Sequence, residues 1–151
     1  MIFNFTKNEN NEKNQSENNN LVKMIALLIH AAKIDENYSE KEKKLIISFA
    51  EMSSNKKLDN EQIKSLVDQA EQYEKNANQI LEFTQEVKKM DLNTKRRVLE
   101  FLWKIILSDN KSDVYESNLM RRICGLLYLP DKLSGEIKLN IIKQKKNDIH
   151  S

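Results

Sequence analysis

Residues 98–107 read VLEFLWKIIL, and this stretch decides the fold because eight of its ten residues are apolar. A helix formed from it has apolar side chains on nearly every side, so it must be covered by other elements on all sides. The sequence therefore predicts a central buried helix here, capped by Asn93 or Thr94. Working outward, Leu21, Ile25 and Leu28 recur at a spacing of four and three residues, which predicts a first amphipathic helix over residues 21–34.

Helix-capping signals divide the remaining chain into further helices. Ser39 with Glu42 three residues later is a capping box, and Asp59 with Gln62 follows the same logic at the start of a third helix. A weaker fourth helix is predicted over residues 78–90. Asp113 with Glu116 is another capping box, and Pro130 separates that sixth helix from a last one. We therefore predict an all-α fold, a single bundle of about seven helices.

The composition restricts the class of protein further. The 151 residues include two Gly, one Pro and one Cys, too few turn formers for a β-sandwich and too few thiols for a disulfide or a cysteine-based zinc site. The net charge of +2 provides no field for nucleic acid, so no nucleic-acid partner is expected. No stretch of 18 apolar residues is present and the N-terminus has no apolar signal core, so we expect a soluble, cytoplasmic protein without an integral membrane segment.

The two ends differ in composition from the middle. Residues 1–20 are rich in Asn and carry few apolar side chains to offset the entropy of ordering, so we predict a disordered N-terminal tail. Residues 21–143 form the predicted helical domain, and residues 144–151 form a basic C-terminal tail.

An internal repeat appears when the chain is shifted by 74 residues. The shift aligns Asp35 with Asp109 and Glu42 with Glu116, and it also aligns the apolar residues on either side. Each copy contains an apolar helix, an Asp at its end and a Glu seven residues after the Asp. The sequence thus predicts a two-fold repeat of one helical hairpin within the bundle.

The four repeated acids have two interpretations. Glu42 and Glu116 occupy the third position of a capping box, which is sufficient to explain them. Asp35 and Asp109 lie near helix C-termini, where the helix dipole disfavours an anion, so they either form local turns or bind a cation together with the glutamates. Four carboxylates favour a hard divalent ion, so we predict a calcium, magnesium or manganese site at Asp35, Glu42, Asp109 and Glu116.

Zinc is not expected at these acids. His30 has Lys104 as its repeat partner, and His150 lies in the C-terminal tail.

No catalytic triad or Gly-rich phosphate loop is present, so the chain shows no nucleophile for catalysis. Cys124 and Trp103 lie on apolar helix faces, and we interpret both as core residues.

These motifs resemble the tellurite-resistance TerB-like family. The similarity rests on the pair Asp35 to Glu42, on the pair Asp109 to Glu116, and on the apolar helices before and after them. The resemblance implies a small all-helical domain with an acidic metal site and a role in stress responses, related to the N-terminal module of a membrane-linked DnaJ-type co-chaperone. The family motif has Gly after each Asp, whereas this chain has Glu36 and Asn110, so the first copy is expected to bind more weakly.

The sequence therefore favours a non-enzymatic module that binds a divalent cation and an unidentified protein partner, with its oligomeric state left open. Two alternatives use the same carboxylates. One is a metal-dependent hydrolase acting through a metal-bound water. The other is a pure scaffold, similar to a co-chaperone module, in which every carboxylate is a cap and no metal binds.

Overall fold

Seven α-helices and two short 3₁₀ helices form all the regular structure in the described part of the chain. The structure is a computed structural model that describes the backbone of residues 2–35, 38–109 and 114–150, and the side chains of residues 15–34, 38–108 and 117–148. The helices are α1 (Ile2–Ala32), α2 (Glu40–Ser53), α3 (Asn60–Asn76), α4 (Leu81–Val87), α5 (Leu92–Ile106), α6 (Val114–Leu126) and α7 (Asp131–His150), and the 3₁₀ helices are η1 (Lys33–Asp35) and η2 (Leu107–Asp109). The all-α fold class and the number of helices are confirmed.

Two helices share the centre of the bundle. Helix α5 packs against α1, α2 and α7, and seven of its 15 residues are buried, as the apolar stretch predicts. Helix α1 also packs against α2, α3, α4 and α5, and its residues from Met24 to Ile29 are all buried. The first helix is therefore more than an amphipathic helix with one apolar stripe, because neighbours cover it on several sides.

Local capping signals correctly locate the starts of α2 and α3. The side chains of Ser39 and Asp59 each accept a hydrogen bond from the backbone N–H three residues later, and the side-chain oxygen at that later position accepts one from the N–H of the cap residue. The predicted cap of α5 is wrong, since Asp91 caps this helix and its Oδ1 accepts the N–H of Thr94 at 2.7 Å. Asp91 is three residues before Thr94, which is the spacing that cap geometry requires.

The described residues of both predicted tails are helical. Helix α1 begins at Ile2, where the sequence predicts disorder, although the side chains of residues 15–19 are exposed. Once the buried part of α1 is formed, each further turn adds hydrogen bonds without a new nucleation cost. Helix α7 likewise continues to His150. The division into a domain and two tails stays a prediction.

No helix in the described ranges is long and apolar enough to span a membrane.

Helix α6 ends in a Schellman motif with an unusual residue. The N–H of Leu129 donates to the carbonyl of Cys124 at 2.9 Å, and the N–H of Tyr128 donates to the carbonyl of Gly125 at 3.3 Å. Tyr128 has a φ of 58°, a left-handed conformation that glycine normally adopts at this position. Its side chain is 74% exposed, so packing does not offset the cost of that conformation.

We expect the variant Tyr128→Gly to be more stable than Tyr128→Ala by about 1 kcal/mol. Both variants remove the aromatic ring and its contact with Lys88, but only the alanine retains a Cβ in the left-handed conformation. Urea unfolding of the two variants measures the difference. Equal stabilities would show that the left-handed conformation has no cost at this helix end.

Candidate functional site

The start of α2 contains the only predicted metal ligand whose side chain the structure describes. Glu42 is 2% exposed, and its Oε1 accepts hydrogen bonds from the backbone N–H and the hydroxyl of Ser39, both at 2.9 Å. The N–H of Glu42 donates in return to the Ser39 Oγ at 3.2 Å. The predicted capping box is confirmed, and it also places a carboxylate inside the protein.

The start of α2 lies against the end of α5. The Nζ of Lys41 donates to the carbonyl of Ser108 at 3.3 Å, across 67 residues of sequence. The Ser108 hydroxyl donates to the carbonyl of Ile105 at 2.7 Å, and Lys145 of α7 donates to the carbonyl of Leu107. These contacts hold η2 between α2 and α7, because cationic side chains bind the partly negative carbonyls at a helix C-terminus.

The other three predicted ligands are placed by backbone position alone. Asp35 is the last residue of η1, Asp109 is the last residue of η2, and Glu116 lies in the first turn of α6. Their side chains lie outside the described residues. Since Ser108 contacts Lys41, the structure brings the backbone next to Asp109 close to the first turn of α2, which contains Glu42.

The described residues include no group of three acidic, histidine or cysteine side chains that could bind a metal ion. Asp35, Asp109 and Glu116 are not among these residues. The metal site therefore stays a prediction.

The elements that contain the predicted ligands begin 74 residues apart, as the shift of the repeat predicts. The 3₁₀ helices η1 and η2 begin at Lys33 and Leu107, and α2 and α6 begin at Glu40 and Val114. The repeat itself also stays a prediction.

Tyr38 connects the start of α2 with α3. Its hydroxyl donates to the Oε1 of Glu71 at 3.4 Å. Burial raises the pKa of Tyr38, and the negative charges of Glu71, Glu42 and Glu40 raise it further. The phenol therefore stays protonated at neutral pH and acts as a hydrogen-bond donor toward α3.

A second acidic side chain, Glu74, is partly buried at a place that no motif in the sequence indicates. The exposed fraction of its side chain is 10%, Lys33 Nζ lies 2.8 Å from its Oε2, and His30 Nδ1 lies 3.3 Å from its Oε1. The His30 ring also packs on Phe83, with 5.4 Å between the ring centroids. Residues more than 40 positions apart form this cluster, so no local motif could have revealed it.

The single cysteine is a core residue, as predicted. Cys124 and Trp103 are 0% and 5% exposed. Burial raises the pKa of the Cys124 thiol, so little reactive thiolate is present at neutral pH. The indole Nε1 of Trp103 donates to the Ser134 hydroxyl at 2.9 Å, which joins α5 to α7 inside the core.

Comparison with known proteins gives one clear relationship. The family model described as tellurite resistance protein TerB matches residues 21–139, which is most of the chain and includes α2 to α6 together with the buried part of α1. Searches of curated proteins and of solved structures gave no match.

Proposed function

The chain belongs to the tellurite resistance protein TerB family, and from this premise we propose that it is a non-enzymatic helical module that binds a divalent cation. The ligands in this proposal are Asp35, Glu42, Asp109 and Glu116. The module would act in a stress response of the tellurite-resistance type, in the cytoplasm, by contacting a protein partner.

One observation supports the shared site more than any other. The hydrogen bond from Lys41 to the Ser108 carbonyl connects the first turn of α2 to η2, although the two segments are far apart in the sequence. The predicted ligands come from these segments and their repeat partners. A site built from both copies requires this proximity, and a scaffold with two independent helix caps does not.

The donor set suits a hard cation. Glu42 is buried, and a buried carboxylate costs free energy unless hydrogen bonds or a cation compensate its charge. Calcium, magnesium and manganese prefer carboxylate oxygen ligands. When bound, the ion would neutralise the acidic side chains, while Ser39 would keep the Glu42 carboxylate oriented through its N–H and hydroxyl.

A pure scaffold is the second candidate function, and the complete capping box at Ser39 and Glu42 favours it. In that case Glu42 stabilises the start of α2 and binds no ion. The two functions differ in their response to added metal.

We expect calcium, magnesium or manganese chloride to raise the melting temperature of the wild-type protein by roughly 5–10 °C at saturating concentration. The reason is that a ligand bound only by the folded state stabilises it, by about 2.7 kcal/mol at one hundred times its Kd. Asp35→Asn, Glu42→Gln, Asp109→Asn and Glu116→Gln should each reduce the response, because an amide is a poorer cation ligand than a carboxylate. Differential scanning calorimetry in metal-free buffer with added salt measures it.

Glu40→Gln is the matched control. Glu40 lies in the same first turn of α2, is exposed and pairs with Lys43 at 3.5 Å, so its substitution changes the charge at this helix end without touching a predicted ligand. The metal response should remain. A flat wild-type curve up to several millimolar of each metal would refute the metal site and leave the scaffold function. A response lost only in Asp109→Asn and Glu116→Gln would assign the site to the second copy.

A further inference from the structure

The end of α6 presents an aromatic side chain to solvent in a backbone conformation that disfavours it. Tyr128 is 74% exposed and has a φ of 58°. A glycine would complete the same Schellman motif without a Cβ in the left-handed region, so the helix end itself does not require a tyrosine. Disfavoured conformations that packing does not offset are typical of residues with a functional contact.

A second large apolar side chain is exposed beside Tyr128. Leu92, the first residue of α5, is 56% exposed. Lys95 follows it by three residues and so lies on the same side of α5. The Nζ of Lys95 donates to the carbonyl of Leu127 at 3.0 Å, which places the first turn of α5 beside the end of α6. Leu92 and Tyr128 therefore lie at the same end of the bundle, both next to Lys95.

Two lysines belong to this surface. The Nζ of Lys88 lies 5.9 Å from the centre of the Tyr128 ring, and Lys95 donates to a carbonyl. An aromatic ring and a neutral carbonyl orient an ammonium group without removing its charge. Neither lysine forms an ion pair with another residue that the structure describes. The two lysines and the two apolar residues define the α6-end surface: Lys88, Leu92, Lys95 and Tyr128.

The chain segments around the α6-end surface have an excess of positive charge. Residues 86–97 and 125–132 together contain six cationic residues and three acidic ones. Glu86 pairs with two lysines, each at 3.9 Å, and Asp91 accepts an N–H as the cap of α5. Asp131 lies in the first turn of α7, where the helix dipole favours an anion. The surface thus complements a ligand with negative charge.

An acidic protein segment matches this surface better than a nucleic acid does. One aromatic and one aliphatic side chain form a small apolar contact area, which fits an apolar side chain of a peptide. Single-stranded nucleic acid instead binds where several aromatic side chains stack on successive bases along a basic groove. The net charge of the whole chain is only +2, which provides little attraction for a phosphate backbone.

From this arrangement we infer that the α6-end surface docks an acidic segment of a protein partner that contains leucine. The leucine contacts Leu92 and Tyr128, and the flanking carboxylates contact the two lysines. The inference rests on the proposed function only in taking the ligand of this module to be a protein. It uses none of the proposed metal ligands, since Glu116 precedes the end of α6 by about 15 Å along the helix, farther than exposed charges interact at physiological salt.

The test uses the full chain, in EDTA, and the acetylated and amidated peptide EEDLLDEE as the probe. Titration monitored by ¹H–¹⁵N NMR should give saturable shifts that include residues 88–95 and 126–129. The peptides EEDSSDEE and QQNLLNQQ each retain half of the chemistry, so each should bind at least about tenfold more weakly. EDTA removes divalent ions, so the result does not depend on the metal proposal.

Tyr128→Gly should weaken the binding of EEDLLDEE about tenfold, because it removes the ring that contacts the leucine. The same substitution removes the Cβ from the left-handed conformation, so the loss of binding does not result from a strained helix end. Leu139→Ala is the control, since it truncates an exposed apolar side chain on α7 and should leave binding within about twofold. Circular dichroism checks that both variants are folded.

Four outcomes would overturn the inference. The first is the absence of saturable shifts with EEDLLDEE. The second is equally tight binding of EEDSSDEE, since the apolar residues would then have no role. The third is an equal loss of binding in Tyr128→Gly and Leu139→Ala. The fourth is tighter binding of an oligothymidylate than of the peptide, which would assign the surface to nucleic acid.

The two proposals fail in different ways. A calorimetric response to metal without peptide binding would overturn the docking inference alone. Peptide binding by a protein that shows no metal response would support the docking inference and refute the metal site.

Discussion

Trp103→Ala is expected to lower the free energy of unfolding by about 3–5 kcal/mol, the usual cost of emptying a large buried aromatic site. Trp103 is 5% exposed in the last turn of α5, and the Nζ of Lys138 in α7 lies 4.9 Å from the centre of its ring. The substitution removes the side chain that joins α5 to α7 and also breaks the hydrogen bond from Nε1 to Ser134. Urea unfolding monitored by circular dichroism measures the loss.

Trp103→Phe separates packing from hydrogen bonding. Phenylalanine keeps most of the apolar volume but has no N–H for the Ser134 hydroxyl, so this variant should lose only about 1–2 kcal/mol. A near-wild-type stability of Trp103→Ala would contradict the buried position of this side chain.

Phe49→Ala is expected to lower the free energy of unfolding by a similar amount, about 3–5 kcal/mol. Phe49 of α2 is fully buried and meets Phe101 of α5 edge to face, with 5.4 Å between ring centroids and an interplanar angle of 68°. The alanine leaves a cavity between α2 and α5. Helix α5 leads directly into η2, so this packing also supports the contact between the start of α2 and η2. Denaturant unfolding measures this loss as well.

A double-mutant cycle with Phe49→Leu and Phe101→Leu isolates the ring contact. We expect a coupling of about 0.5–1.5 kcal/mol, the range for aromatic pairs. Leu139→Ala is the control, since Leu139 is 57% exposed and its truncation should change stability by less than about 0.5 kcal/mol. A loss at Leu139 as large as that at Phe49 would show that this part of α7 is covered by another molecule.

The hydrogen bonds of Glu42 could be predicted from the sequence, but its burial could not. Ser39 with Glu42 and Asp59 with Gln62 are the same local motif, and both form complete capping boxes. Glu42 is buried, whereas Asp59 and Gln62 are exposed. Capping depends on residues three positions apart, but burial depends on which distant elements cover the helix end. The motif therefore predicted the hydrogen bonds of Glu42 and not its buried environment.

The metal site stays a prediction, and the contact between its neighbouring segments could not be predicted for the same reason. Spacing within the chain identified Asp35, Glu42, Asp109 and Glu116 as a set, and the structure brings the start of α2 to η2 through Lys41. The composition predicts a basic C-terminal tail over residues 144–151. Within that stretch, Lys145 reaches the carbonyl of Leu107, 38 residues away.

The sequence by itself determined the helical class, the starts of α2 and α3, and the burial of Trp103 and Cys124, because capping and apolar periodicity act within a few residues. Only the tertiary structure decided that α1 shares the centre with α5, that Glu74 meets His30 and Lys33, and that two lysines lie at the end of α6. Those arrangements depend on how complete helices pack against one another. Packing brings together side chains that are far apart along the chain, and their separation in sequence does not determine their distance in space.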